Sequence, residues 1–314
     1  MREKWWLAMI AVFIICGITF AATAQEESGG GLGLPGERQG AVDKGSNGQP
    51  SAGKVDQAAV DSLSKAEQAM SKDGEEQQAI SLALPLIETF RSNEDYDHLA
   101  ECLSLIGEAY YYLGDWANAE KYMSQAADVG FRYFPDDMST FPLKVIGESQ
   151  FQQKKYDESL ATFQRRVQLL RKMGDTVELP SSLFDVGGVL INLNREAEAV
   201  PVLQEAETAV KARAAELAKP GSGATPEDRN GNTVDHAEIL YHLAIAEYHQ
   251  DKLSEALGYL NQAYKLFKSI DESGLAEVQD RLAAVLDDLV LVNERLGNTN
   301  DADAFRAERD ALNK

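Results

Sequence analysis

From about residue 55 onward, apolar side chains recur at three- and four-residue intervals, and Leu, Ala, Glu, Gln and Lys dominate. That spacing predicts amphipathic helices throughout. Breakers are confined to short turns, and no alternating Val/Ile/Thr run is long enough for a strand. The pattern itself repeats. Leu63, Leu103, Leu143 and Leu183 stand 40 residues apart, as do Ala79, Ala119, Ser159 and Ala199. Gly107, Gly147 and Gly187 keep the same interval, each preceded by Ile106, Ile146 or Val186. Between the columns fall turns: Gly114-Asp115-Trp116, Lys154-Lys155-Tyr156 and Asn194-Arg195-Glu196. Three columns in one register predict repeated helical hairpins. The Gly and the small residue after the turn allow two helices to approach closely, and Met123, Phe163 or Leu203 fills the space beside them. One such hairpin buries only part of its apolar surface, so the hairpins are expected to stack.

The second unit carries Leu103, Ile106, Gly107, Tyr110, Ala119, Met123 and Ala126; the fourth carries Leu183, Val186, Gly187, Leu190, Ala199, Leu203 and Ala206. A fifth follows with Leu240, Leu243, Ala244, Ala256, Leu260 and Ala263. The third departs from the columns at Gln150, Ser159 and Arg166. Units with Leu63, Ala66 and Ala79, and with Leu286, Leu289 and Ala302, sit at the two ends. On these residues the chain resembles the tetratricopeptide repeat (TPR) family over about residues 58–310. The period exceeds the 34 residues of the standard motif, which likens it to the longer, kinesin-light-chain-like variety. The resemblance implies an all-α superhelical solenoid of about six hairpins, residues 55–314, that binds other proteins and is not an enzyme.

The beginning of the chain reads differently. Arg2 and Lys4 precede an uncharged run from Trp5 to Phe20, and Ala22-Thr23-Ala24 supplies a small-x-small site. Residues 1–24 are therefore expected to be an export signal, or an N-terminal anchor if uncleaved. Either reading places the remainder outside the cytoplasm, periplasmic or extracellular. Residues 25–54, rich in Gly, Ser and Gln, are expected to be a linker. The fourth and fifth units are 57 residues apart, and Lys219-Pro220-Gly221-Ser222-Gly223 and Asn230-Gly231-Asn232 predict a loop insertion at 219–235. Asp228, Asn230 and Asn232 imitate the start of a calcium loop, but Thr233 and Ile239 stand where Gly and Glu are needed.

A net charge of −21 argues against nucleic acid and anionic membrane surfaces as partners. A membrane connection is expected only through the N-terminal segment. Cys102 is the one cysteine beyond the signal, and is read as a small buried hydrophobe. No cofactor is implied. His242 and His249, seven residues apart, share a helix face and would need a third ligand from another helix to hold a metal. The resemblance places function in the concave groove, at positions offset from the packing columns. Four residues after each unit's Gly or Ala come Tyr111, Phe151, Ile191 and Tyr248; three residues before it come Ser104, Lys144, Phe184 and Tyr241. Glu108 and Glu148 directly follow the Gly. These residues predict a mildly acidic, aromatic groove for a protein or peptide partner that is basic or apolar. A peptide-sensing solenoid is the alternative, and a metal protein using His242 and His249 a third.

Overall fold

A computed structural model describes residues 53–135, 139–270 and 272–312. The export signal and nearly all of the linker lie outside the described residues. The fold is all-α, a TPR-like solenoid of six hairpins. In the first, α1 (Gln57–Met70) faces α2 (Glu76–Ala83) and α3 (Leu86–Ser92), a second helix interrupted at Pro85. The others pair α4 (Tyr96–Tyr112) with α5 (Trp116–Tyr133), α6 (Phe141–Gln152) with α7 (Tyr156–Met173), and α8 (Leu179–Asn192) with α9 (Glu196–Leu217). Then come α10 (Pro226–His249) with α11 (Leu253–Ser269), and α12 (Glu272–Leu296) with α13 (Thr299–Leu312). Among the described residues no helix is long and apolar enough to cross a membrane.

The columns are the packing contacts. A Cβ added to Gly107, Gly147 or Gly187 would collide with Met123, Phe163 or Leu203 respectively. Each of those large side chains is 0–1% exposed. From α4 onward each first helix then ends in one left-handed residue: Gly114, Lys154, Asn194, Asp251 and Gly297. The next N–H returns to a carbonyl five residues back, as from Asp115 to Tyr110 and from Lys155 to Gln150, both 2.9 Å. This closure satisfies carbonyls that the helix end would otherwise strand.

One boundary differs from the expectation. Only residues 218–225 are non-helical between α9 and α10, so the predicted loop at 219–235 is too long. Thr225 and Asp228 form a capping box, with Pro226 at the first helical position, and this nucleates α10 early enough to absorb Asn230-Gly231-Asn232.

First helices of successive hairpins touch: α1 with α4, α4 with α6, α8 with α10, and α10 with α12. Among the described residues no comparable contact joins successive second helices. The first helices therefore line the concave face. The contact between α6 and α8 is the slightest of that series.

Candidate functional site

The concave face carries its polar chemistry at the third and fourth hairpins. Lys144 and Glu148 stand one turn apart on α6, and Asp185 stands on α8. Tyr111, from α4, bonds through its hydroxyl to Glu148, and burial, then Glu148, raises its pKa. Arg166 enters from α7. In the second, fourth and fifth hairpins its place is taken by Ala126, Ala206 and Ala263, each 0–3% exposed. Arg166 is itself 1% exposed, so a guanidinium occupies a column built for a methyl group. Its Nη2 donates to Glu178 at 2.7 Å, while Nη1 lies 4.0 Å from Asp185 Oδ2, beyond hydrogen-bond reach. Burial first, then the charge of Glu148, pushes Asp185 up to about 7.

A second polar group continues along α10. Glu238 and Arg281 of α12 form a buried ion pair at 2.7 Å, and burial raises Glu238 to about 7 despite that partner. Burial also raises Asp235, which pairs with Arg213 at 3.5 Å. Tyr241 donates to Asp288 at 2.8 Å, and Asp288 is raised to about 6, chiefly by burial. Carboxyls thus line the inner face beyond what its cations neutralise, and burial opposes their ionisation.

The groove residues read from the sequence fall into two sets. Tyr111, Glu148 and Lys144 join the polar cluster; Lys144 is buried, whereas Glu108, Ser104 and Glu148 are half-buried. The aromatic and apolar ones, Tyr111 included, are engaged in packing. The Tyr111 ring meets Trp116 edge-on at 5.4 Å, and Phe151 meets Tyr156 at 5.2 Å. Each closes over the first residue of its own second helix. Tyr248 lies beneath the Arg295 guanidinium at 4.9 Å, and Ile191 and Tyr241 are buried. Phe184 packs edge-on against His242 at 4.5 Å.

The two histidines occupy different environments. His242 is a core residue, its ring nitrogen 3.1 Å from the Glu238 carbonyl, and burial lowers it to about 4. His249 is exposed and meets Glu196 at 3.0 Å. Among the described residues no three His, Cys, Asp and Glu side chains are grouped to hold a metal ion. Cys102 is fully buried, its thiol donating to the Ala83 carbonyl, and burial pushes it up to about 12.

Residues 227–269 match the tetratricopeptide repeat family. That TPR unit is α10 and α11. No curated protein matches the chain in sequence. Solved structures do match in fold. BtubC (BKLC) from P. vanneervenii aligns with a TM-score of 0.59 at 14% identity, covering 82% of this chain and 92% of that one. A kinesin light chain with nearly identical TPR-like repeats from Podosopora anserina gives 0.52 at 12%, covering 68% and 97%. NprR, solved in complex with its cognate peptide NprX, gives 0.50 at 12%, covering 82% and 68%. At these identities the likeness establishes the fold alone.

Arg166, Glu178, Asp185, Asp235, Glu238, Arg281 and Asp288 were not among the groove residues read from the sequence. A signal for the first did exist: Arg166 breaks the Ala column. The others meet partners on other helices, pairings that the sequence alone does not reveal.

Proposed function

We propose that this chain is an exported, non-catalytic scaffold that holds a protein or peptide partner on its concave face. The observation that carries the reading is the lining of that face at the second to fourth hairpins. Glu108, Glu148 and Asp185 present carboxyls from three successive first helices, with Tyr111 held between two of them. A solenoid of this kind offers an extended surface rather than an enclosed pocket, which suits a chain-like ligand. The excess of carboxyls favours a basic or apolar segment. The small-x-small site at Ala22-Thr23-Ala24 supports export to the periplasm or beyond.

A photo-crosslinker placed at Ser104 or Glu108, in the native cells, tests this reading against one at Glu158 on the exposed side of α7. The reading predicts one partner captured from both inner positions, through a segment that mass spectrometry finds basic or apolar. Capture at Glu158 alone, or through an acidic segment, would overturn it.

A regulatory solenoid that senses a short peptide is the second reading. It is favoured by the fold shared with NprR, which was solved with a peptide bound. Mass spectrometry of the chain purified from its own cells decides between them: a stoichiometric short peptide would favour the sensor.

A further inference from the structure

The buried apolar residues do not form one continuous core. Ala59 to Ala126 make one cluster, Ala119 to Ile146 a second, and a third runs from Leu160 on α7 to Val292 on α12. The last division falls inside the third hairpin, between α6 and α7. Phe163 still lies against Gly147, and Phe151 and Leu169 pack across the division, but polar side chains also join the interface. Ser159 Oγ donates to the Gly147 carbonyl at 2.8 Å, and Thr162 Oγ1 to Gln150 Oε1 at 2.8 Å. Gln150 Nε2 passes the network on to Glu120 of α5 at 3.0 Å.

Two further observations fall at the same place. The contact between the first helices α6 and α8 is the slightest of the series. The side chains bordering it are also incompletely bonded. Arg166 Nε and Nη1, Asp185 Oδ2, Ser149 Oγ and Ser182 Oγ are buried without a hydrogen-bond partner among the described residues.

We propose that the third hairpin is the hinge of the solenoid, where two apolar blocks swing about a polar seam and change the curvature of the concave face. Parting an apolar interface exposes hydrocarbon to water and is resisted in proportion to the area exposed. Parting this seam exchanges protein hydrogen bonds for water and hydrates groups that the closed form leaves unbonded. The seam is therefore where opening is least opposed.

Asp185 gives the hinge a pH dependence. Facing it are Lys144 and Glu148 from α6, Arg166 from α7, Glu178 at the N-cap of α8, and Tyr111 from α4. Asp235 of α10 shares Lys144 and Glu178 with it. Burial and Glu148 together outweigh the two cations and raise Asp185 from 3.8 to about 7. The closed seam thus prefers protonated Asp185, and ionisation near neutral pH favours opening.

Hydrogen exchange of the isolated chain at pH 6 and pH 8, corrected for intrinsic rates, tests the hinge without reference to any partner. Amides of α6 and the first half of α8 are expected to exchange about tenfold faster than those of α10 and α11. The gap should widen at pH 8. Asp185→Asn, nearly isosteric, should abolish the widening, and Arg166→Met/Asp185→Val should bring the seam to the rates of α10 and α11. Equal rates in the seam and in α10–α11 at both pH values would overturn the hinge, and so would a pH response unchanged in Asp185→Asn.

Discussion

The second and third hairpins share a register and differ in what fills it. Both place a large side chain beneath a first-helix Gly: Met123 under Gly107, and Phe163 under Gly147. Ala119 in the second is Ser159 in the third, Tyr110 is Gln150, and Ala126 is Arg166. At the same register position of the next first helix, Val145, 2% exposed, gives way to Asp185, 4.0 Å from Arg166. Both hairpins therefore keep the Gly with a large neighbour beneath it, whereas the column facing the next hairpin takes a methyl group in one and a guanidinium in the other. The first choice buries no charge at this position; the second buries a guanidinium beside a carboxyl.

Moving the polar choice into the second hairpin should give the largest effect. Ala126→Arg would bury a charge where Val145 offers no counter-charge, and is expected to cost about 3–5 kcal/mol in denaturant unfolding. A loss under about 1 kcal/mol would mean that the second hairpin has the same freedom to separate as the third. The reverse transfer should be far milder. Arg166→Met alone strands Asp185 and is expected to cost about 2 kcal/mol, whereas Arg166→Met/Asp185→Val is expected to be neutral or stabilising. The coupling between the two sites, read from a double-mutant cycle, should be about 1–3 kcal/mol. Additive single effects would show that Arg166 and Asp185 do not answer each other.

The packing columns were legible because each is a local rule repeated: Gly107 and Met123 are sixteen residues apart and recur as Gly147 with Phe163 and Gly187 with Leu203. The hairpin count, the turns and the burial of Ala66, Ala79 and Ala302 follow from the same rule. Burial on the concave side did not follow, because it depends on how near the next first helix comes. Lys144 and His242 occupy offset positions on their own helices yet are both 6% exposed. A hint lay in the run Ile239–Ala246 of α10, which is buried around its whole circumference. The Arg166 departure was visible, but its partners were not, since Asp185 comes from a different hairpin. The predicted 219–235 loop failed for a local reason: the Gly and Asn clusters suggest a long turn, whereas the Thr225–Asp228 capping box starts α10 ahead of the second cluster.

The acid side of the comparison titrates. Asp185 binds its proton more tightly in the fold than in the unfolded chain, so its contribution is full below about pH 4. That contribution declines as pH rises and is gone above about 7. His242, lowered to about 4 by burial, works in the opposite direction between about pH 4 and its unfolded value of 6.5. The difference between wild type and Asp185→Asn isolates the first trend. Thermal midpoints of the two should differ most at about pH 4 in favour of wild type, and the difference should shrink steadily towards pH 7.5. A constant difference would mean that Asp185 is ionised throughout and that the third hairpin is held by an ordinary ion pair.

The smallest expected effect concerns the turn that both hairpins share. Gly114 and Lys154 occupy the same left-handed position, with φ of 72° and 61°. A side chain there costs about 1–2 kcal/mol in backbone strain, which glycine avoids. Glycine also enlarges the unfolded ensemble, returning about 0.4–1 kcal/mol of that difference. Lys154→Gly should therefore stabilise the chain by about 0.5 kcal/mol. Gly114→Ala should destabilise it by about 0.5–1 kcal/mol, since the nearest atom to the new Cβ, on Trp116, lies at an ordinary 3.8 Å. Changes of opposite sign and similar size would show that the turn obeys one backbone rule in both hairpins. The contrast between them would then reside in the side chains that meet the next hairpin. A much larger gain at Lys154 would place part of the third hairpin's looseness in its turn, and move the hinge towards that end of α6.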